Sequence, residues 1–137
     1  MSSKFKFIFL LLAWPDFSFA ADVDLIARRE FDACIKETQA DRNVCSFGGC
    51  GNIVAACYER QMNVISMANE SLVSKLNTGR CMSIANSTAE EIDGLDSKLK
   101  LLAPFDGTWS GYDVQVQVAL LKNGVLSALI KECDSKN

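Results

Sequence analysis

The residues of this chain best equipped for chemistry are its six cysteines, Cys34, Cys45, Cys50, Cys57, Cys81 and Cys133. Cysteines can form disulfides, ligate a metal or exchange electrons, and spacing discriminates among these. The intervals between successive cysteines are 10, 4, 6, 23 and 51 residues, so there is no C-x-x-C pair, and the chain has no histidine. Zinc ribbons need the first and zinc fingers the second. A thioredoxin-like redox site also needs C-x-x-C. No metal site is expected, and the six cysteines read as three disulfides. Their pairing is open, because six cysteines allow many connectivities. Cys133 is expected to tie the last element back to an earlier one. Cys45, Cys50 and Cys57 are expected to pin a glycine-rich loop.

Other catalytic constellations are missing. Without histidine there is no Ser-His-Asp or Cys-His site. Glu90 and Glu91 are adjacent, but neighbours on a helix point about 100° apart. Asp93 and Asp96 read as charges on a solvated face. Gly48-Gly49-Cys50-Gly51 follows no predicted strand and lacks the lysine of a phosphate loop, so it reads as a turn. The chain is therefore read as a non-enzyme with no catalytic residues and no cofactor.

The elements that would position these residues are helices. Asp22 to about Gln39 carries Leu25, Ile26, Phe31, Cys34 and Ile35 near helical spacing. Asp41 to Gly51 reads as a loop. A long helix is predicted from about Asn52 to Leu76, with Ile53, Cys57, Val64, Ile65, Ala68, Leu72, Val73 and Leu76 on its apolar stripe and Asn69 outside it. Asn77-Thr78-Gly79 would end it. Thr88 and Glu91 have the form of a capping box, opening a helix to about Leu102 that Pro104 and Gly107 stop. The last element, about Thr108 to Glu132, alternates like a strand over YDVQVQVALL but offers Trp109, Tyr112, Val116 and Leu120 as a helical face. It is read as a helix that Gly124 kinks or breaks. The fold class predicted is all-α, a small disulfide-stapled bundle of four to five helices.

Residues 1–20 read as an export signal. Lys4 and Lys6 precede the apolar run Phe7 to Trp14, and Ser18-Phe19-Ala20 favours cleavage before Ala21. The run is far shorter than the roughly 20 residues of a membrane span, so the mature chain is expected to be soluble, periplasmic or secreted. Removing 20 residues from 137 leaves 117, residues 21–137, a single helical domain. Loss of Lys4, Lys6 and Asp16 takes the net charge from −3 to −4. That acidity argues against nucleic acid and anionic membranes, and suits a basic protein partner.

Cys34, Thr38, Ala40 and Cys45, then Cys57-Tyr58 opening a long helix, then Trp109-Ser-Gly-Tyr112 and the late Cys133, resemble the LprI-type lysozyme-inhibitor family of exported bacterial helical domains. Departures are visible. Met67-Ala-Asn-Glu-Ser-Leu72 stands where the family has an Asp-x-x-Leu-Asn core. Asp113-Val114 follows the Trp-x-x-Tyr step in place of a basic residue and an aspartate. SFGGCGNIVAA between Cys45 and Cys57 is unusual. Cysteine spacing separates the chain from insect odorant-binding proteins, and the missing C-x-x-C separates it from saposins.

The resemblance implies binding without catalysis: a periplasmic inhibitor or immunity protein that blocks a cell-wall (peptidoglycan) hydrolase or toxin. Phe47, Gly48 and Gly49, a ring on a glycine-rich loop, are the candidate partner-binding residues. The alternatives are a periplasmic small-molecule or lipid carrier with an apolar cavity, and a structural envelope accessory protein. A cavity of about 300 Å³ or more would favour the carrier. A protruding loop or an acidic groove would favour the inhibitor.

Overall fold

The computed structural model describes residues 19–45, 50–76, 81–101 and 107–134. Every element in them is helical: α1 (Phe19–Glu37), α2 (Gln39–Val44), α3 (Cys50–Leu76), α4 (Met82–Lys100) and α5 (Trp109–Asp134). The chain is all-α, a bundle of five helices stapled by two disulfides, Cys34–Cys57 and Cys81–Cys133. The expected leader lies outside the described residues up to position 18, and α1 takes in Phe19 and Ala20.

Cross-contacts set the directions of the helices. Cys34 meets Cys57 while Ala27 packs with Ile65, so α1 runs antiparallel to α3. Tyr58 meets Asp113 and Asn69 meets Asn123, so α3 and α5 run parallel. Cys81 meets Cys133 and Asp93 meets Lys122, so α4 runs antiparallel to α5. At 1.5 Å rise per residue, α3 and α5 are each about 40 Å long, and α1 and α4 about 28 Å. The two long helices thus form the axis. Helix α1 lies along their N-terminal half and α4 along their C-terminal half. Each short helix is fastened by one disulfide, and neither bond joins α3 to α5.

The core has two apolar parts. Ala27, Ile65 and Val116 fill the α1 side. Leu72, Leu76, Ala85 and Leu126 fill the α4 side. Between them lies a polar layer: Asn123 Nδ2 donates to Asn69 Oδ1 at 2.9 Å, and Asn69 Nδ2 donates to the Ala119 carbonyl at 3.0 Å. Both side chains are buried. Burying an amide is tolerable only when it is hydrogen-bonded; Asn69 is paired through both its oxygen and its nitrogen, whereas Asn123 is paired through its nitrogen and its buried Oδ1 has no partner among the described residues.

Several expectations need correction. Leu25 and Ile26 are exposed; α1 buries Ala27 and Cys34 instead. The expected loop from Asp41 contains most of α2, which forms after a break at Thr38, whose Oγ1 donates to the Cys34 carbonyl at 2.7 Å. Asn69, expected outside the α3 stripe, faces inward because α5 offers it an amide. Helix α4 begins at Met82, so Thr88 and Glu91 lie within it and cap nothing. Helix α5 is continuous through Gly124, so the expected break is absent, while its middle is helical as read. It starts as the sequence suggested. Gly107 adopts φ 68°, where glycine escapes the steric penalty of a side chain, and Thr108 Oγ1 accepts from the Gly111 amide at 3.1 Å. Asn77-Thr78-Gly79 and Pro104 lie outside the described residues.

Candidate functional site: an acidic groove and a ring cluster

Helix α4 packs less closely on α3 than on α5, and a groove of about 680 Å³ opens among the three helices. Met62, Ser66, Asn69, Glu70 and Val73 line it from α3, Glu90, Ile92, Asp93 and Asp96 from α4, and Gln115, Val118 and Lys122 from α5. Its charge is one-sided. Among the described lining residues four carboxylates accompany one ammonium, and Lys122 Nζ is already held by Asp93 at 2.6 and 2.8 Å. A pairing of this kind on an accessible surface contributes little stability. It does neutralise the one cation, leaving the groove acidic. The amide of Asn69 belongs to both the wall and the polar core layer.

Just beyond the groove four rings meet. Tyr58 lies one helical turn before Met62 on α3, and Tyr112 three residues before Gln115 on α5. Their rings stack with centroids 5.1 Å apart and 11° between planes. Phe31 of α1 closes on Tyr58 at 4.7 Å, and Trp109 stands 6.2 Å from Tyr58 and 6.4 Å from Tyr112. These are favourable offset or tilted aromatic separations. Tyr58 Oη donates to Asp113 Oδ1 at 2.9 Å. Partial burial, then that hydrogen bond and the carboxylate's charge, push the Tyr58 phenol up to about 12. Asp113 thus serves as acceptor for the tyrosine that follows Cys57.

The Tyr58 shift has a testable sign. The folded chain keeps the proton after the unfolded chain, with an ordinary pKa of 10.0, has lost it. The contribution is complete below about pH 10 and is lost as pH rises toward 12. Urea midpoints measured from pH 8.5 upward should therefore fall less steeply for Tyr58→Phe than for the parent. Superimposable curves would contradict the shift.

The cysteines divide three ways. Cys34–Cys57 closes 23 residues and fastens α1 to α3, so Cys57 does not pin the glycine loop as expected. Cys81–Cys133 closes 52 residues and ties α5 back to α4. Cys45 and Cys50 are free thiols, where a third disulfide was expected. They end α2 and open α3, and their side chains interact. The hydrogen bond between them, then desolvation and charge, raise the Cys45 thiol. The Cys50 thiol also reaches the Arg42 carbonyl at 3.6 Å. A dithiol so placed should close under oxidised glutathione: two thiols lose two protons and two electrons, and glutathione disulfide is reduced to two glutathione molecules. After such treatment, alkylation of the denatured chain should label no cysteine; persistent labelling of Cys45 and Cys50 would refute closure.

Phe47, Gly48 and Gly49 lie outside the described residues. Among the described residues no group of three or more cysteines and carboxylates is placed to hold a metal. No helix among them is long and apolar enough to cross a membrane. The groove was missed in the sequence because it depends on where α4 settles against two helices remote in sequence. The ring cluster left a local trace in Cys57-Tyr58 and in the i, i+3 pair Trp109 and Tyr112. The chain gives no match to protein-family models, to curated proteins or to solved structures.

Proposed function

We propose that the chain is an exported inhibitor or immunity protein that captures a basic cell-wall hydrolase or toxin and blocks it. The observation that carries this reading is the acidic groove, where among the described lining residues Glu70, Glu90, Asp93 and Asp96 accompany one lysine, Lys122, which Asp93 already holds. Opposite charge across an interface speeds encounter and excludes like-charged competitors. A bundle stapled at α1 and α4 loses little ordering entropy on docking. The leader expected over residues 1–20 and the two disulfides suit an oxidising compartment, the periplasm or the exterior. The LprI resemblance points the same way.

The test is capture of periplasmic hydrolases and interbacterial toxins on the immobilised chain, with enzyme activity followed in its presence. The parent should bind and inhibit at least one basic hydrolase or toxin. Reversing Glu70 and Glu90 to lysine should abolish capture, because both carboxylates are exposed and their loss should not unfold the bundle. Unchanged capture by that variant would remove the groove from the reading, and absence of any captured or inhibited hydrolase or toxin would remove the function.

The volume of the groove favours a second reading, a small-molecule carrier, since it exceeds the roughly 300 Å³ at which ligand pockets begin. Its carboxylates and amide suit a polar cation better than a lipid. Mass spectrometry of the undenatured chain would reveal a co-purifying ligand if this reading holds.

A further inference from the structure

We propose that the ring cluster of Tyr58, Tyr112 and Trp109, with Asp113 beside it, is a seat for an arginine side chain of a basic protein partner. This rests on the reading of the chain as a captor of basic proteins, and it names a contact outside the groove.

Three observations support it. Trp109 is large, apolar and 49% exposed at the first residue of α5, so a ring face is available without unfolding anything. Its ring neighbours are aromatic, and the charged group hydrogen-bonded within the cluster is a carboxylate. Electron-rich faces beside an anion attract cations, and indole is the strongest of the ring types. The phenol of Tyr58 donates to Asp113 Oδ1, which enriches the electron density of its own ring, and Tyr112 stacks on that ring. Asp113 is exposed, and a carboxylate can accept several donors at once, so it can take an incoming group besides the Tyr58 phenol.

The geometry selects among cations. Tyr58 and Tyr112 stack with nearly parallel planes and centroids 5.1 Å apart, so no slot opens between them for a rounded ammonium. A flat guanidinium can instead lie on the outer ring surface and direct its edge at the carboxylate. Arginine stacks and hydrogen-bonds in this fashion, while lysine presents a compact, strongly hydrated point charge. The continuity of Tyr58 with Met62 and of Tyr112 with Gln115 places the seat at one end of the acidic groove. A partner segment anchored there by arginine would extend its remaining basic residues along Glu70, Glu90 and Asp93.

The chain reports on the seat itself. It has two tryptophans, Trp14 and Trp109. In the full-length chain carrying Trp14→Phe, Trp109 is the sole indole. Titrating that chain with hexa-arginine, hexa-lysine and an uncharged glycine–serine peptide at about 0.15 M salt should shift Trp109 emission with hexa-arginine at the lowest concentration. The uncharged peptide should have no effect. Asp113→Asn, which retains an acceptor for Tyr58, should weaken hexa-arginine about tenfold, on the scale of one partly desolvated cation–π and charge contact. Trp109→Ala, read by calorimetry, should weaken it similarly, with circular dichroism confirming that both variants stay helical.

Equal response to arginine and lysine, response to the uncharged peptide, or indifference to Asp113→Asn would each overturn the seat. If hexa-arginine binds here but no hydrolase or toxin is captured, the seat stands and the inhibitor reading falls. If capture depends on Glu70 and Glu90 but the Trp109 and Asp113 variants are neutral, the reverse holds.

Discussion

Replacing Cys81 and Cys133 together by serine should lower the unfolding free energy by about 4 kcal/mol, the larger of the two disulfide effects. The bond spans 52 residues, so its loss returns to the unfolded chain the conformational freedom of a long loop. The same substitution at Cys34 and Cys57 spans 23 residues and should cost about 3 kcal/mol. The entropy of loop closure grows only logarithmically with length, which is why doubling the span adds so little. The comparison is informative because the bonds fasten equivalent short helices. If the Cys34–Cys57 pair proves the costlier, native contacts rather than chain entropy dominate. Urea unfolding of the parent and the two double variants, with the slope of each curve compared, distinguishes these outcomes.

The other large effect is expected at Leu126. Its side chain is fully buried, in a cluster with Leu72 and Leu76 of α3 and Ala85 of α4. Leu126→Ala removes apolar contacts with two neighbouring helices at once and leaves a cavity that the stapled α4 cannot easily fill. Substitutions of this type cost about 2–5 kcal/mol, and the poor capacity of the site to collapse places Leu126 in the upper half of that range. Leu121→Ala, at an exposed position on the same helix, is the control and should change stability by no more than about 0.5 kcal/mol. Similar urea midpoints for the two variants would contradict the packing described.

The helical class was legible because the long elements carry dense apolar periodicity. Ile65, Leu72 and Leu76 appear in the α3 stripe, and Val116 on the helical face of α5, as burial requires. Errors arose where a local rule met a nonlocal partner. Asn69 reads as a surface residue until Asn123 is opposite it. Thr88 and Glu91 form a plausible cap in isolation, yet the helix began upstream, where Ala85 is buried against Leu126. Leu25 and Ile26 look like core residues, but α1 is turned so that Ala27 packs with Ile65 and Val116 while both larger side chains are exposed. Candidate sites were harder still. Phe31, Tyr58 and Trp109 come from three helices, and no spacing rule connects 31 to 58 or 58 to 109. The four carboxylates of the groove lie on two helices whose separation depends on the packing of a third.

The buried Asn69–Asn123 pair has a mechanical consequence. Two long parallel helices with apolar seams could slide past each other, exchanging one leucine contact for the next. A shift of one turn, about 5.4 Å, would carry each amide away from the other into an aliphatic layer and strand both. A single buried asparagine pair is well suited to specifying register in this way. No covalent link joins α3 to α5, so the amides act as the detent of the central shaft. The rings at one end and the Cys81–Cys133 staple at the other then keep a constant distance along the axis. A load applied at Trp109 would be borne by the bundle as a rod, without being absorbed as axial slip.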